Sequence, residues 1–308
     1  MSVCFSFQDL ETEFWVASHQ AIKNTLEERG IEVIERNANE DANRQLEQIR
    51  DCIAQQVDAI VMIVQDGESA VTIVGEANRA GVPVAIYNRP PANDRKPAIV
   101  VVADNEQIAE KTVDYMVDVA RERGRKSTPL VMVGDLGDQN ALSRRQGFLN
   151  AIEKYPDLFN EAIEVPTKWD ANTALTNLEA ALQANPDVDF LFTSSDFMIP
   201  QIRAVLEPMG KWQPIGHPDH VILGGLDGDH TACRLMKEGY LDATGVQDLY
   251  YEADATLEAV LVALEAGETT PSQWIEDEGF AFTQANMTER EADMWGCQLL
   301  AEQEAEGE

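Results

Sequence analysis

The 308-residue sequence predicts an α/β fold of two doubly wound parallel-sheet lobes, and three observations carry that prediction. Short, Val- and Ile-rich runs recur along the chain without polar alternation, as strands covered on both faces of a parallel sheet should read. Longer stretches with helical spacing separate them, and a β-α-β order implies right-handed crossovers in an open sheet. The length suits about two domains, each large enough to bury its own core.

In the first hundred residues the expected strands are Val3–Phe7, Glu32–Glu35, Ala59–Val64, Val82–Tyr87 and Ile99–Val102. The expected helices are Glu13–Arg29, Ala42–Gln55 and Ser69–Ala80. Gly30 and Gly81 follow the first and last of them, where glycine supplies the C-terminal stop. The order reads β-α-β-α-β-α-β-α-β. The second stretch repeats the plan, with strands Leu130–Val133, Ala162–Val165, Phe190–Thr193, Val221–Leu226 and Ala243–Val246. Its helices are expected near residues 139–154, 171–185, 197–208, 229–238 and 249–266. No sequence repeat relates the halves; the likeness is architectural. Ala301–Glu308 is acidic and small, and is expected to fray.

Charge narrows the partners. Lys and Arg number 23 against 55 Asp and Glu, a net charge of −32. Such a field repels phosphate backbones and anionic head groups, which argues against nucleic acid and phosphorylated metabolites. A solubility device or a salty habitat would produce the same excess, and either way the ligand should be neutral or cationic. No run of about 18 apolar residues is present to span a membrane. Nor does a basic region precede an apolar one as in a secretory signal. The first strand is expected to begin almost at once, as it would after removal of a leader and as it would in a cytoplasmic chain. Cys4, Cys52, Cys233 and Cys297 show no metal-like spacing and are expected to be buried free thiols, with a Cys4–Cys52 bridge open in an oxidising compartment.

Catalytic patterns are missing. There is no phosphate loop of the G-x-x-x-x-G-K-[ST] type, no G-x-G-x-x-G after a strand and no G-x-S-x-G elbow. Gly134-Asp135-Leu136-Gly137-Asp138 follows a strand but reads as a turn. His217-Pro218-Asp219-His220 and Asp227-Gly228-Asp229-His230 lack metal-ligand spacing, so neither metal nor cofactor is expected. None of the four histidines sits beside Ser or Cys at a strand end. No catalytic residue is assigned, and the chain is expected not to be an enzyme.

The informative residues follow strands, where doubly wound sheets bind ligands. Gln8-Asp9 end the first strand, and Phe14-Trp15 open the next helix. Neighbours on a helix point about 100° apart, so at least one of that aromatic pair should face a ligand. The fourth strand runs into Asn88-Arg89, stiffened by Pro90-Pro91. In the second stretch Arg144, Trp169, Ser194-Ser195-Asp196, Asp227 and Gln247 follow successive strands. Flat apolar faces beside Asp, Asn, Arg and Gln are what a polyol needs: rings against C–H groups, and polar forks bridging neighbouring hydroxyls. Singly, Asp196 and Asp227 would equally suit helix caps, Arg144 the surface and Trp169 the core. Their coincidence at strand ends is the argument.

At these residues the chain resembles the ribose-binding-protein-like group of periplasmic sugar-binding proteins, the type I periplasmic binding fold of ABC transporters. The likeness runs from Val3 to about Phe282. It is carried by Phe14-Trp15, Ala80-Gly81-Val82-Pro83-Val84 into Asn88-Arg89, and Val102-Ala103-Asp104-Asn105. Arg144-x-x-Gly147-Phe148, Ser195-Asp196, Gly225-Leu226-Asp227-Gly228 and Gln247 complete it. The resemblance implies that Phe14, Trp15 and Trp169 hold the sugar ring while Asn88, Arg89, Arg144, Ser195, Asp227 and Gln247 bond its hydroxyls; Gln8 and Asp9 join the candidate ligand contacts by their place at the end of the first strand. It implies an N-terminal lobe of residues 1–103 and 248–280, a C-terminal lobe of 104–247 and 281–308, and a ligand cleft between them. A three-strand hinge would lie at Ala103-Asp104, at Asp248 and near residues 279–282. A monomer in the periplasm, passing a neutral monosaccharide or sugar alcohol to the permease of an ABC transporter, is the implied role. The alternative is the effector domain of a LacI-type regulator without its DNA-binding head, for which Met1-Ser2 leave no room before the first strand. Asn88 where the group often has Asp, Val64-Gln65 at the third strand exit, Leu226 before the aspartate and Ser195 in place of Asn all depart from the pattern. They make ribose itself a poorer occupant than a relative of it.

Overall fold

The computed structural model describes residues 1–306. The chain runs through β1 (Ser2–Phe7), α1 (Glu13–Glu28), β2 (Glu32–Asn37), α2 (Ala42–Ala54), β3 (Ala59–Met62), α3 (Gly67–Ala80), β4 (Val84–Tyr87) and β5 (Ile99–Ala103). It continues through α4 (Asn105–Glu122), β6 (Pro129–Val133), α5 (Gln139–Glu153), β7 (Ile163–Pro166), α6 (Ala171–Ala184), β8 (Phe190–Thr193) and α7 (Ile199–Leu206). Then follow β9 (Ile222–Asp227), α8 (His230–Glu238), β10 (Ala243–Val246), α9 (Leu249–Glu265), β11 (Gln273–Asp277), β12 (Phe280–Thr283), α10 (Met287–Arg290) and α11 (Trp295–Glu306). No described helix is long and apolar enough to cross a membrane.

The chain divides into two compact units. The first holds Met1–Ala103, Gly137–Asn140 and Asp248–Asp277; the second holds Asp104–Leu136, Ala141–Gln247 and the chain from Glu278 on. In the first unit the sheet order is β11-β5-β4-β3-β1-β2, all parallel. The second sheet runs β12-β10-β9-β8-β6-β7, parallel except for antiparallel β12. Both are the doubly wound order in which the first strand sits inside the sheet and ligands collect at the strands' C-terminal ends. Every residue of β3, β4 and β5 is buried, which is why these runs show no alternation. Ile49, Ile60, Met62, Ile73, Val84 and Ile86 meet in the first unit's core, and Phe148 packs against Phe190 and Phe192 in the second.

Part of the acidic excess starts helices. Asp41, Asp66, Asp104, Asp170, Asp229 and Asp248 cap α2, α3, α4, α6, α8 and α9, each accepting a backbone N–H of the first turn. A cap of this kind stabilises by about 1 kcal/mol.

Four sequence expectations need correction. No helix joins β4 to β5; Pro90, Pro91 and Pro97 stand in that connection, where they break a helical ladder. The long helix α4 was not anticipated, although Ile108, Ala109, Val113, Met116, Val117 and Ala120 form its buried stripe. The end is also helical where an irregular tail was expected, since α11 runs to Glu306; residues 307–308 lie outside the described part. Finally, the cysteines are not free: Cys4 is bonded to Cys52 and Cys233 to Cys297. Packing of α2 on β1 brings the first pair to 6.1 Å between Cα atoms, and packing of α11 on α8 brings the second to 5.3 Å.

Candidate functional site

Within the first unit, the residues leaving β1 and β4 gather at the sheet's C-terminal edge. Gln8 is fully buried, and neither its Oε1 nor its Nε2 has a hydrogen-bond partner among the described residues. Leaving each such group unpaired costs about 1–3 kcal/mol, so a side chain held this way calls for a partner from outside the chain. At the exit of β3, Gln65 Oε1 is also buried and unpaired, while its backbone N–H is held at 3.0 Å by Gln45. Asp9 is half-buried and accepts the Glu11 N–H at 2.8 Å. Thr12 caps α1 through the Trp15 N–H, which places Phe14 and Trp15 edge to face, 4.9 Å apart and both buried. The Trp15 ring carries the Arg89 guanidinium 4.9 Å above it.

Asn88 leaves β4 with φ at 62°, a left-handed conformation that a non-glycine residue adopts only under local constraint. That turn sends its side chain to Glu252 in the first turn of α9, with Asn88 Nδ2 donating to Glu252 Oε2 at 3.0 Å. Asn140 Nδ2 donates to Asn88 Oδ1 at 3.0 Å, and Arg89 Nε pairs with Asp138 at 3.1 Å. Beneath them the buried Tyr87 hydroxyl donates to the Leu249 carbonyl at 3.2 Å and meets Ser18 Oγ at 2.7 Å. Burial, and then the nearby Glu252 charge, push the Tyr87 hydroxyl well above the ordinary phenol range.

Within the second unit Arg144 organises the equivalent edge. Gly147 has no room for a Cβ against Glu106 and Ala109, so α5 lies close on α4 and delivers Arg144 to Asn105. Arg144 Nε donates to Asn105 Oδ1 at 2.6 Å, and Nη1 donates to the Ser194 carbonyl at 2.7 Å and to Asp227 Oδ1 at 2.9 Å. Asp227 also accepts from Gln247 Nε2 at 2.8 Å and from the Ser195 hydroxyl. Burial raises the Asp227 carboxyl above its usual range; the Arg144 charge and the three donors oppose the rise. At Asp227 φ is 131°, a region L-residues rarely enter and worth roughly 1–3 kcal/mol of strain. Trp169, with φ at 57°, lays its benzene ring over Gly134, which has no space for a side chain beneath it.

Asp196 is neither a cap for the helix that follows nor exposed. It is fully buried and takes the Gly228 N–H and the Thr244 hydroxyl, each at 2.7 Å. Burial, then the Asp229 and Asp227 charges, drive its carboxyl well above the usual range. Ala103 ends β5, and Asp104 and Asp248 cap the helices that begin where the chain changes unit; Asp248 also donates its N–H to Asp277 at 2.6 Å. His220 braces a loop, meeting the Gln213 carbonyl at 2.6 Å and Asp242 at 2.9 Å.

Thus Gln8, Asp9, Phe14, Trp15, Asn88 and Arg89 gather in the first unit, and Arg144, Ser195, Asp227 and Gln247 in the second, with Trp169 packed on Gly134 in that unit. Sequence reasoning missed Glu252, Asn105, Asn140, Asp138 and Trp295. Asn105 lay inside a motif already singled out; Glu252 carried no signal beyond an acidic residue in a helical first turn.

The periplasmic binding protein domain model matches residues 3–269. The chain belongs to the periplasmic binding protein family. It is 26% identical over 254 residues to a D-apiose import binding protein of Actinobacillus succinogenes, covering 82% of this chain and 77% of the relative. With the ribose import binding protein of Bacillus subtilis it shares 27% identity over 250 residues, covering 80% and 76%. Among solved structures, an ABC transporter solute-binding protein from Bacillus halodurans with bound myo-inositol superposes with a TM-score of 0.82 at 26% identity, covering 94% of this chain and 97% of that one.

Proposed function

We propose that this chain is the solute-binding component of an ABC transporter and captures a neutral monosaccharide or sugar alcohol. The observation that carries this reading is Gln8, a fully buried amide at the end of β1 with both polar atoms unpaired among the described residues. A polyol supplies what that amide lacks, since one hydroxyl both donates and accepts. Each unit offers contacts of the kind such a solute needs: Asn88 and Arg89 in the first, and Arg144, Ser195, Asp227 and Gln247 in the second. The similarity to import binding proteins favours transport over the repressor effector domain and over catalysis.

Delivery to a membrane permease by a monomer belongs to the same reading. So does a compartment outside the cytoplasm, which the two disulfides support because such bonds persist in oxidising surroundings.

A thermal-shift panel of D-ribose, D-xylose, D-apiose, xylitol and myo-inositol tests the proposal. A solute at about 100 times its Kd should stabilise the protein by about 2.7 kcal/mol. Trp15→Ala and Arg89→Ala should abolish the shift; full shifts in both variants would remove these residues from the site.

A further inference from the structure

We propose that Trp295 is a positioning residue for the Asp227 carboxylate, held in register by the Cys233–Cys297 cross-link. The proposal rests on the reading of Asp227 as a solute contact. Trp295 opens α11 and is 2% exposed, and its Nε1 donates to the Asp227 carbonyl at 2.8 Å. The next residue, Gly296, donates its N–H to the Gly228 carbonyl at 3.1 Å. A Cβ there would overlap the Gly228 carbonyl and the Asp229 backbone, so α11 begins flush against the 227–229 turn. The residue after that, Cys297, is bonded to Cys233 on α8, whose N-cap is Asp229. Three consecutive residues of α11 therefore hold the end of β9 at Asp227, the next residue Gly228 and, through Cys233, the helix that Asp229 caps.

The grip falls where the backbone needs it. Asp227 at φ 131° and Gly228 at φ 79° both lie in the region that L-residues rarely adopt, and such a conformation persists only when its surroundings over-determine it. Asp196 holds the turn from one side through the Gly228 N–H. Trp295 holds the other side by fixing the Asp227 carbonyl, and with it the peptide plane from which the carboxylate is aimed at Arg144, Ser195 and Gln247. Phenylalanine fills most of the same volume but has no N–H to donate, which separates aiming from packing.

Crystal structures of solute-free Trp295→Phe and of Cys233→Ser/Cys297→Ser test the claim without any assumed sugar, and either variant serves if the other fails to fold. The expected result is that Asp227 leaves the left-handed region and its Oδ1 moves beyond 4 Å from Arg144 Nη1, where an ion pair ends. An unchanged Asp227 with its three side-chain partners in place would overturn the proposal. Calorimetry with myo-inositol, xylitol and D-ribose adds the functional arm. Trp295→Phe should weaken Kd about tenfold in the wild-type background and leave it unchanged in an Asp227→Asn background, whereas the loss of Tm should appear in both. Equal losses of affinity in the two backgrounds would make Trp295 a packing residue only. If wild type binds none of the three sugars, the solute reading is what suffers, and the structures still decide the positioning claim.

Discussion

Replacing Arg144 by methionine tests the electrostatics of the second unit most sharply. The substitution keeps a long, flexible apolar stem and removes the donors to Asn105, the Ser194 carbonyl and Asp227. Asp227 is 8% exposed and, among the described residues, would keep the Ser195 hydroxyl and the Gln247 amide on its side-chain oxygens. Breaking a buried pair by removing one partner costs about 3–5 kcal/mol, because the remaining charge is uncompensated. The sign of the pH dependence follows from the direction of the shift. Burial already raises the Asp227 carboxyl above its unfolded value of 3.8, so its contribution is fully present below that value and is withdrawn as pH rises through the folded one. Arg144 acts against the rise, so its removal pushes the folded value higher still and extends the window upward. Urea unfolding of both proteins at pH 5, 6 and 7 should show a deficit of about 3–5 kcal/mol at pH 7. That deficit should shrink toward pH 5 by up to about 1.4 kcal/mol per unit. A deficit under about 1 kcal/mol, typical of an exposed ion pair, or one that does not change with pH, would refute the reasoning.

Other consequences are quicker to check. Gln8→Leu removes two unpaired buried polar atoms, so chemical denaturation should show it as stable as wild type or about 1 kcal/mol more stable, while its response to sugar disappears. Cys4→Ala/Cys52→Ala opens a cross-link spanning 48 residues and should lower stability by about 4 kcal/mol in denaturant titrations, on a chain-entropy account. Asp248→Ala removes the α9 cap to Tyr250 and Tyr251 and should cost about 1 kcal/mol in the same assay.

What was legible in the sequence tracks how local each signal is. The parallel strands announce themselves because burial on both faces forbids alternation, and β3 and β4 are the plainest cases. Residues leaving strands were legible for the same reason: once β1, β4, β8, β9 and β10 are placed, Gln8, Asn88, Ser195, Asp227 and Gln247 follow by position. Helix α4 carries a period as clear as any other, and went unread beside the Ala103-Asp104 crossing. Pairing across long separations was the part that sequence alone does not encode. Glu252 reaches Asn88 across 164 residues and Trp295 reaches Asp227 across 68, and neither carries a motif. Cys297 likewise had no visible partner until α11 was seen to pack on α8. The exchange of Asp for Asn at position 88 reads differently beside Glu252. A carboxylate does stand against that strand end, supplied by α9 and accepting a hydrogen bond from the Asn88 amide. That keeps Asn88 Oδ1 on the acceptor side of the amide, where Asn140 already donates to it.

The central claim is a site for an uncharged, hydroxyl-rich solute, and isothermal titration calorimetry with matched pairs tests it most directly. D-ribose, D-xylose, xylitol and myo-inositol would be titrated beside the phosphate monoester of each. At least one neutral compound should bind with a stoichiometry of one and lose that affinity on phosphorylation, because the ester brings charge to a chain of net charge −32. Binding of a phosphate ester in preference to its parent, or heats indistinguishable from dilution across all four neutral compounds, would contradict the account.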